Sequence, residues 1–364
     1  MALMSLRDVR RSVGRLAIVG FAGHSVPTEL REIAREFDLG GVIYFARNIA
    51  EPAQVRELSR ECGSLAQEWP LWISVDQEGG RVARLKQPFT EWPPMITLGR
   101  CGDDQVTVRF ARAMADELRA VGINLDYTPV LDVHTNPKNP VIGDRALSDK
   151  ATDAARLGAL MITTLQEAGV AACGKHFPGH GDTSTDSHFE LPLVDQSPER
   201  LNAVELVPFR AAVAADVACI MTGHVLVPAL DANRPSTLSP TIVDGLLKQT
   251  MGYRGIVISD DLGMKAISES TGLGEAMVLS LLAGCDAVLL CNQPPDEQVA
   301  ALEAVIKAVE AKRVPMARIE DALTRQERVK HQFLRSGRRL AEVPISRIGC
   351  EEHQQLSAAM AKWV

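Results

Sequence analysis

Hydrophobic positions along this chain fall into a repeating unit. A segment apolar at every third or fourth residue ends in a small residue and glycine, and a short unbroken apolar run follows at once. The unit occurs as Leu39-Gly40-Gly41 before Val42-Ile43-Tyr44-Phe45, and as Val121-Gly122 before Ile123-Asn124-Leu125. It returns as Ala168-Gly169 before Val170 and as Ala283-Gly284 before Asp286-Ala287-Val288-Leu289-Leu290. Glycine just past a helix tolerates the left-handed turn that sends the chain back, so each unit reads as helix, turn, strand. Val106, Phe110, Met114 and Leu118 recur four apart and predict one buried helix face.

Eight strands are predicted on this basis: Leu16–Gly20, Val42–Phe45, Leu71–Val75, Ile123–Thr128, Val170–Lys175, Val217–Met221, Gly255–Ser259 and Asp286–Leu290. Their alternation with helices predicts an α/β fold, a single-domain (β/α)8 barrel of the TIM type. No Gly-x-Gly-x-x-Gly follows the first strand, which argues against a dinucleotide-binding sheet. Residues 1–340 are expected to form the barrel, with 298–339 closing it and 341–364 forming a short tail packed on or near it.

Composition narrows the function. A length of 364 residues, 46% hydrophobic and 23% charged, suits a barrel with insertions. The net charge of −7 leaves no basic stripe for phosphates, so no nucleic-acid partner is expected. The arginine-containing start lacks a long apolar segment, and no run approaches a membrane span; a cytoplasmic monomer without membrane contact is expected. Seven cysteines without framework spacing or a Cys-x-x-Cys pair read as reduced thiols, and neither a metal nor a cofactor is expected.

Polar residues punctuate the predicted strand ends, where barrels place their sites: Asp76, Lys175-His176, His224 and Asp260. An aspartate such as Asp260 can serve as nucleophile, metal ligand or general base. Its neighbour Asp261 points the other way along a strand and suits the N-cap of the next helix. Asp76 can accept hydrogen bonds from vicinal hydroxyls, with Arg84 and Arg145 as directional donors. The segment Lys175 to His188 concentrates three histidines, a lysine and two aspartates among Pro178, Gly179 and Gly181. Those breakers predict a structured loop. Within it, Asp186 and His188 stand two apart and can form a dyad that donates and recovers a proton near neutral pH. His176, His180, Asp182, Asp186 and His188 also offer a competing metal reading, but their spacing fits no established ligand pattern.

Taken together these residues resemble the β-N-acetylglucosaminidases of glycoside hydrolase family 3. The resemblance runs from about Leu16 to about Lys330. It is carried by Gly40–Asn48, Asp76–Val82, Ile142–Arg145, Lys175–Asp182, Asp186–His188, Ser259–Leu262 and Ala283–Asp286. It implies a retaining mechanism with Asp260 as nucleophile, His188 as acid/base and Asp186 orienting it. It also implies that Asp76, Arg84, Arg145, Lys175 and His176 hold the sugar. His224 and Met264 fall near the pocket without a defined role. Two-domain relatives draw an acid/base carboxylate from beyond the barrel; a chain of this length is expected to use His188 instead. The implied substrate is a small glycan, terminal β-linked N-acetylglucosamine on peptidoglycan fragments (anhydromuropeptides), and the implied process is cell-wall recycling.

Overall fold

The predicted strands close into a barrel in the computed structural model, which describes residues 6–185, 191–335 and 341–364. In chain order they are β1 Ala17–Gly20, β2 Gly41–Tyr44, β3 Trp72–Val75, β4 Leu125–Asp126, β5 Ala171–Phe177, β6 Cys219–Thr222, β7 Ile256–Asp261 and β8 Ala287–Leu290. Each pairs in parallel with the next, and β8 returns to β1 through Ile18↔Leu289. Alternation along each strand divides the side chains. Ile18, Ile43, Trp72, Leu125, Tyr127 and Ile258 fill the lumen, while Val19, Val42 and Val257 face the surrounding helices. The Asp104–Ala120 helix buries Phe110, Met114 and Leu118 as its spacing predicts.

Three local differences from the sequence pattern have physical causes. β4 is shorter than its apolar run, because the Asn124 side chain takes one edge position: its Oδ1 accepts from Ile73 N at 2.9 Å. β5 extends past its predicted end at Lys175 through His176 and Phe177; the Phe177 carbonyl accepts from Gly223 N at 2.8 Å. Gly122, Gly169 and Gly284 do adopt positive φ, whereas the turn before β2 is made by Asp38 at φ 54°. Gly40 serves close packing instead: a Cβ there would sit 2.2 Å from the Arg15 carbonyl.

Beyond the barrel, the Glu351–Met360 helix lies against the Asp104–Ala120 helix. Leu356 and Met360 join the core, and His353 Nδ1 meets the buried Glu117 carboxylate at 2.8 Å. The seven cysteines are free thiols. Among the described residues no helix is long and apolar enough to cross a membrane.

Candidate active site

At the end of β3 the chain turns through Asp76-Gln77-Glu78, and two contacts fix that turn. Gln77 N donates to Asp126 Oδ1 at 2.9 Å, and the Gln77 side chain receives Arg84 N and Leu85 N at 2.8 and 3.0 Å. With Gln77 drawn into the scaffold, its two neighbours turn to the barrel mouth. Lys175 Nζ lies 2.6 Å from Asp76 Oδ1 and 2.7 Å from Glu78 Oε1. Arg145 grips Glu78 with a two-pronged contact at 2.8 and 2.9 Å. Burial opposes ionisation of Glu78, but Arg145 and Lys175 outweigh it and hold the acid well below its ordinary range. Lys175 is raised in turn: burial opposes its charge, and Asp76 and Glu78 overcome that.

β5 shifts register between Gly174 and Phe177, an irregularity that lets the adjacent Lys175 and His176 side chains both reach the mouth. His176 is aimed by the fully buried Asp132. That carboxylate meets the ring Nδ1 at 2.7 Å and accepts the backbone N–H groups of His176 and His180, the latter at 2.6 Å. Burial would raise Asp132, yet His176 and His180 leave it below the ordinary carboxylate range. The anion therefore accepts a hydrogen bond from the Nδ1–H of His176 and leaves Nε2 toward the cavity.

The base of the following loop is built just as firmly. Asn139 Nδ2 donates to the carbonyls of His180 and Gly181 at 2.8 and 3.0 Å, while its Oδ1 accepts from Val141 and Ile142 N–H. Gly181 is required there, since a Cβ would lie 1.8 Å from the Val133 carbonyl. Burial pushes His180 down to about 4. In the metal reading, His176, His180 and Asp182 were candidate ligands. Here His176 and His180 direct Nδ1 to Asp132 and Thr183, and Asp182 meets Thr135 and Gln196. Asp186 and His188 lie outside the described residues.

Asp260, the penultimate residue of β7, opens into the cavity and accepts the Asp261 N–H at 2.8 Å. Burial opposes its ionisation. His224, His176, the Asp261 N–H and Lys175 reverse the balance and lower it. Asp261 does not cap the helix that follows. The cap position is Met264, and Asp261 Oδ1 instead accepts from Gly263 N and Cys291 N at 3.1 and 3.2 Å, tying β7 to the end of β8. The strand runs through Asp261, so its carboxylate meets the neighbouring loop before any helix begins. His224 is buried, and its Nε2 donates to the Asp261 carbonyl at 2.9 Å; it holds the strand end that carries Asp260.

A cavity of about 330 Å³ at the C-terminal face of the barrel collects Asp76, Arg84, Arg145, Lys175, His176 and Asp260. Met264, Glu78, His180 and Asp261 line it as well. Arg84 is the loosest member, 3.8 Å from Asp76 Oδ2 with its guanidinium over the Phe45 ring. Sequence reasoning assigned no role to Glu78, Asp132 or Asn139. Glu78 carries a signal in its position two after Asp76, on the same side of an extended segment. Asp132 carries another, a lone acid inside Pro129-Val130-Leu131-Asp132-Val133 that needs a partner if buried. Asn139 carries none.

This fold and this site define a class, the TIM-barrel glycoside hydrolases. The chain belongs to glycosyl hydrolase family 3, whose N-terminal domain matches residues 8–329. It is 34% identical over 363 residues to beta-hexosaminidase A of Pseudoalteromonas piscicida, covering 93% of this chain and 60% of that one. It is 35% identical to the beta-hexosaminidase of Nitrosomonas eutropha, covering 85% of this chain and 91% of that one. Among solved structures, it is similar to the family 3 β-N-acetylglucosaminidase from Paenibacillus sp. str. FPU-7. The TM-score is 0.91 and identity 41%, over 99% of this chain and 69% of that one. It also resembles NagZ from Neisseria gonorrhoeae, with TM-score 0.79 and identity 29% over 95% and 97% of the two chains.

Proposed function

We propose that this chain is a retaining exo-β-N-acetylglucosaminidase that removes terminal β-linked N-acetylglucosamine from peptidoglycan fragments, acting in the cytoplasm as a monomer. The observation that carries this reading is the convergence of Asp260 with Asp76, Arg84, Arg145, Lys175 and His176 on one cavity. Support also comes from the β-N-acetylglucosaminidase activity named for the Paenibacillus relative and the hexosaminidase names of the others.

In this reading Asp76, Lys175, Arg145, Arg84 and His176 hold the sugar hydroxyls. Asp260, kept ionised by its neighbours, attacks the anomeric carbon while the glycosidic C–O bond breaks. His188, oriented by Asp186, gives its proton to the departing oxygen. It then takes a proton from water, whose oxygen attacks the same carbon and releases Asp260. Neither Asp186 nor His188 is among the described residues, but His180 on the same loop lines the cavity.

The test is a pair of measurements. A chromogenic N-acetylglucosaminide is expected to be turned over in clear preference to the matching glucoside. A fluorinated N-acetylglucosaminide is expected to label Asp260 in a peptide map, and Asp260→Ala to abolish both labelling and turnover. Label on another residue would defeat the assignment of the nucleophile. Sugar 1-phosphate formed only when phosphate is present would make the enzyme a phosphorylase. Release of N-acetylglucosamine from muropeptides tests the substrate, and equal cleavage of unrelated glycans would count against it.

A further inference from the structure

The tail beyond the barrel carries a cluster that the glycosidase site does not use. Cys350 stands at the N-cap of the Glu351–Met360 helix, and Glu352 and His353 follow in its first turn. One atom from each, thiol sulfur, carboxylate oxygen and ring nitrogen, lies within 4.8 Å of the other two. Glu352 is exposed, Cys350 half-buried and His353 buried. A cavity of about 160 Å³, lined by Asp116, Arg347, Glu352 and His353 among others, opens the ring to solvent.

The imidazole is prepared to coordinate. Its Nδ1 meets Glu117 Oε1 at 2.8 Å, and that carboxylate also accepts from Thr90 N, Thr90 Oγ1 and Gly349 N at 2.9, 2.5 and 3.0 Å. With three donors already on it, the carboxylate acts as an acceptor, so Nδ1 carries the proton. On the other side, Nε2 meets Arg347 Nη2 at 3.2 Å, and a guanidinium can only donate. Both neighbours thus assign the lone pair to Nε2. A carboxylate behind the ring is the common backing of a metal-bound histidine. The short spacing Cys-x-Glu-His fits no established ligand pattern, and it is the fold that brings Glu117 behind the ring.

Arg347 marks where positive charge is welcome. Besides His353, it reaches Glu352 Oε2 at 3.2 Å and Asp116 Oδ2 at 3.4 Å. All three contacts are long and its side chain is 36% exposed, so holding it there is worth little. Asp116 can keep the guanidinium when the other two release it.

We propose that Cys350, Glu352 and His353 form a site for a divalent cation of the zinc class, which exchanges with Arg347. Thiolate, carboxylate and imidazole together suit zinc, with water as the fourth ligand. Zinc bonds of about 2.0–2.3 Å space tetrahedral ligands roughly 3.3–3.8 Å apart, so Glu352 and Cys350 close in by about 1 Å. Binding releases the Cys350 proton to solvent. The site shares no residue with the lining of the glycosidase cavity.

Cobalt(II) tests this by its spectrum. The whole chain, kept reduced, is expected to bind one equivalent and show a thiolate-to-cobalt charge-transfer band with the visible bands of four-coordinate cobalt. Zinc is expected to displace it and abolish both. Cys350→Ser is expected to lose the charge-transfer band, and Glu352→Ala to weaken binding about tenfold or more. Arg347→Ala, which removes the competing charge, is expected to tighten it about tenfold. Melting curves without metal confirm that each variant is folded. A charge-transfer band that survives in Cys350→Ser would put cobalt on another thiol and overturn the site. So would a native chain without the four-coordinate spectrum, or an affinity unmoved by Arg347→Ala.

Discussion

Glu78 joins Lys175 to Arg145. One carboxylate, itself 1% exposed, lies 2.7 Å from the lysine ammonium and receives both arms of the arginine. Two cations are thereby packed side by side under the cavity that, in the reading proposed here, binds an uncharged sugar. Without the acid, they would repel each other in a region with little water to screen them.

Glu78→Gln keeps the shape and removes the charge. Breaking a buried pair by neutralising one partner costs about 3–5 kcal/mol, because the remaining charge is left uncompensated. The expected result is a matching loss in denaturant stability, together with a rise in KM as Lys175 and Arg145 move apart. Unchanged stability and KM would mean that Asp76 alone suffices to seat both cations.

Asp126 supports the same turn from a site that disfavours its charge. It is fully buried; Oδ1 accepts the Gln77 N–H, and Oδ2 has no hydrogen-bond partner among the described residues. Burial pushes this acid well above the ordinary carboxylate range, and the nearby Asp76 and Glu78 push the same way. An acid whose charge is disfavoured and which uses one acceptor is closely imitated by an amide. Asp126→Asn is therefore expected to keep kcat/KM within about twofold, while Asp126→Leu strands the Gln77 N–H at a cost of about 1–3 kcal/mol. Steady-state kinetics and thermal melts on the two variants check this. Equal damage from both would show that the carboxylate is needed in its charged form.

The barrel was legible because its signals are local. An apolar run bounded by glycine and preceded by a helical stripe needs no knowledge of distant residues, and the strand ends locate the mouth directly. Asp76, Lys175, His176 and Asp260 could be found that way. Glu78 and Asp132, and the Nδ2 side of Asn139, act through hydrogen bonds to elements far away in the chain, so nothing in their own neighbourhood gives those partners. The role of Asp261 was misread for a related reason. An aspartate after a strand has an ordinary local use as a helix cap, and only the approach of Cys291 reveals the other. Likewise, β5 runs on through Phe177 because Gly223, just after β6, offers its N–H to the Phe177 carbonyl, a pairing invisible in one segment.

Asp132 and His176 give a test of positioning. The carboxylate sets which ring nitrogen carries the proton, and an amide can present either an oxygen or an N–H to Nδ1. Asp132→Asn is expected to lower kcat/KM by about tenfold or more, at least 1.4 kcal/mol, and to alter the pH–rate profile. A purely structural role would reduce the fraction of active enzyme and leave the profile of the remainder unmoved. Active-site titration alongside the pH series separates the two.

At the opposite end of the barrel, Lys330 makes stability itself depend on pH. Its ammonium reaches under the strands and donates to the carbonyls of Gly40 and Pro70 at 2.7 and 2.9 Å, with the Trp72 ring 5.9 Å away. Burial lowers it to about 7, with Asp38 opposing that shift and Arg15 and Arg335 adding to it. In the unfolded chain a lysine titrates near about 10.4, so between those two values the unfolded state binds the extra proton. Stability must then rise with pH across that window, by up to about 1.4 kcal/mol per pH unit. Below the folded value both states are protonated and the slope vanishes. Lys330→Met removes this slope, though it also leaves two carbonyls without a donor. The stability of the native chain relative to Lys330→Met is therefore expected to grow between about pH 7 and about pH 9.5 in denaturant titrations. A difference that stays constant over that range would mean the amine keeps its proton when folded, and that the two carbonyls hold it as a cation.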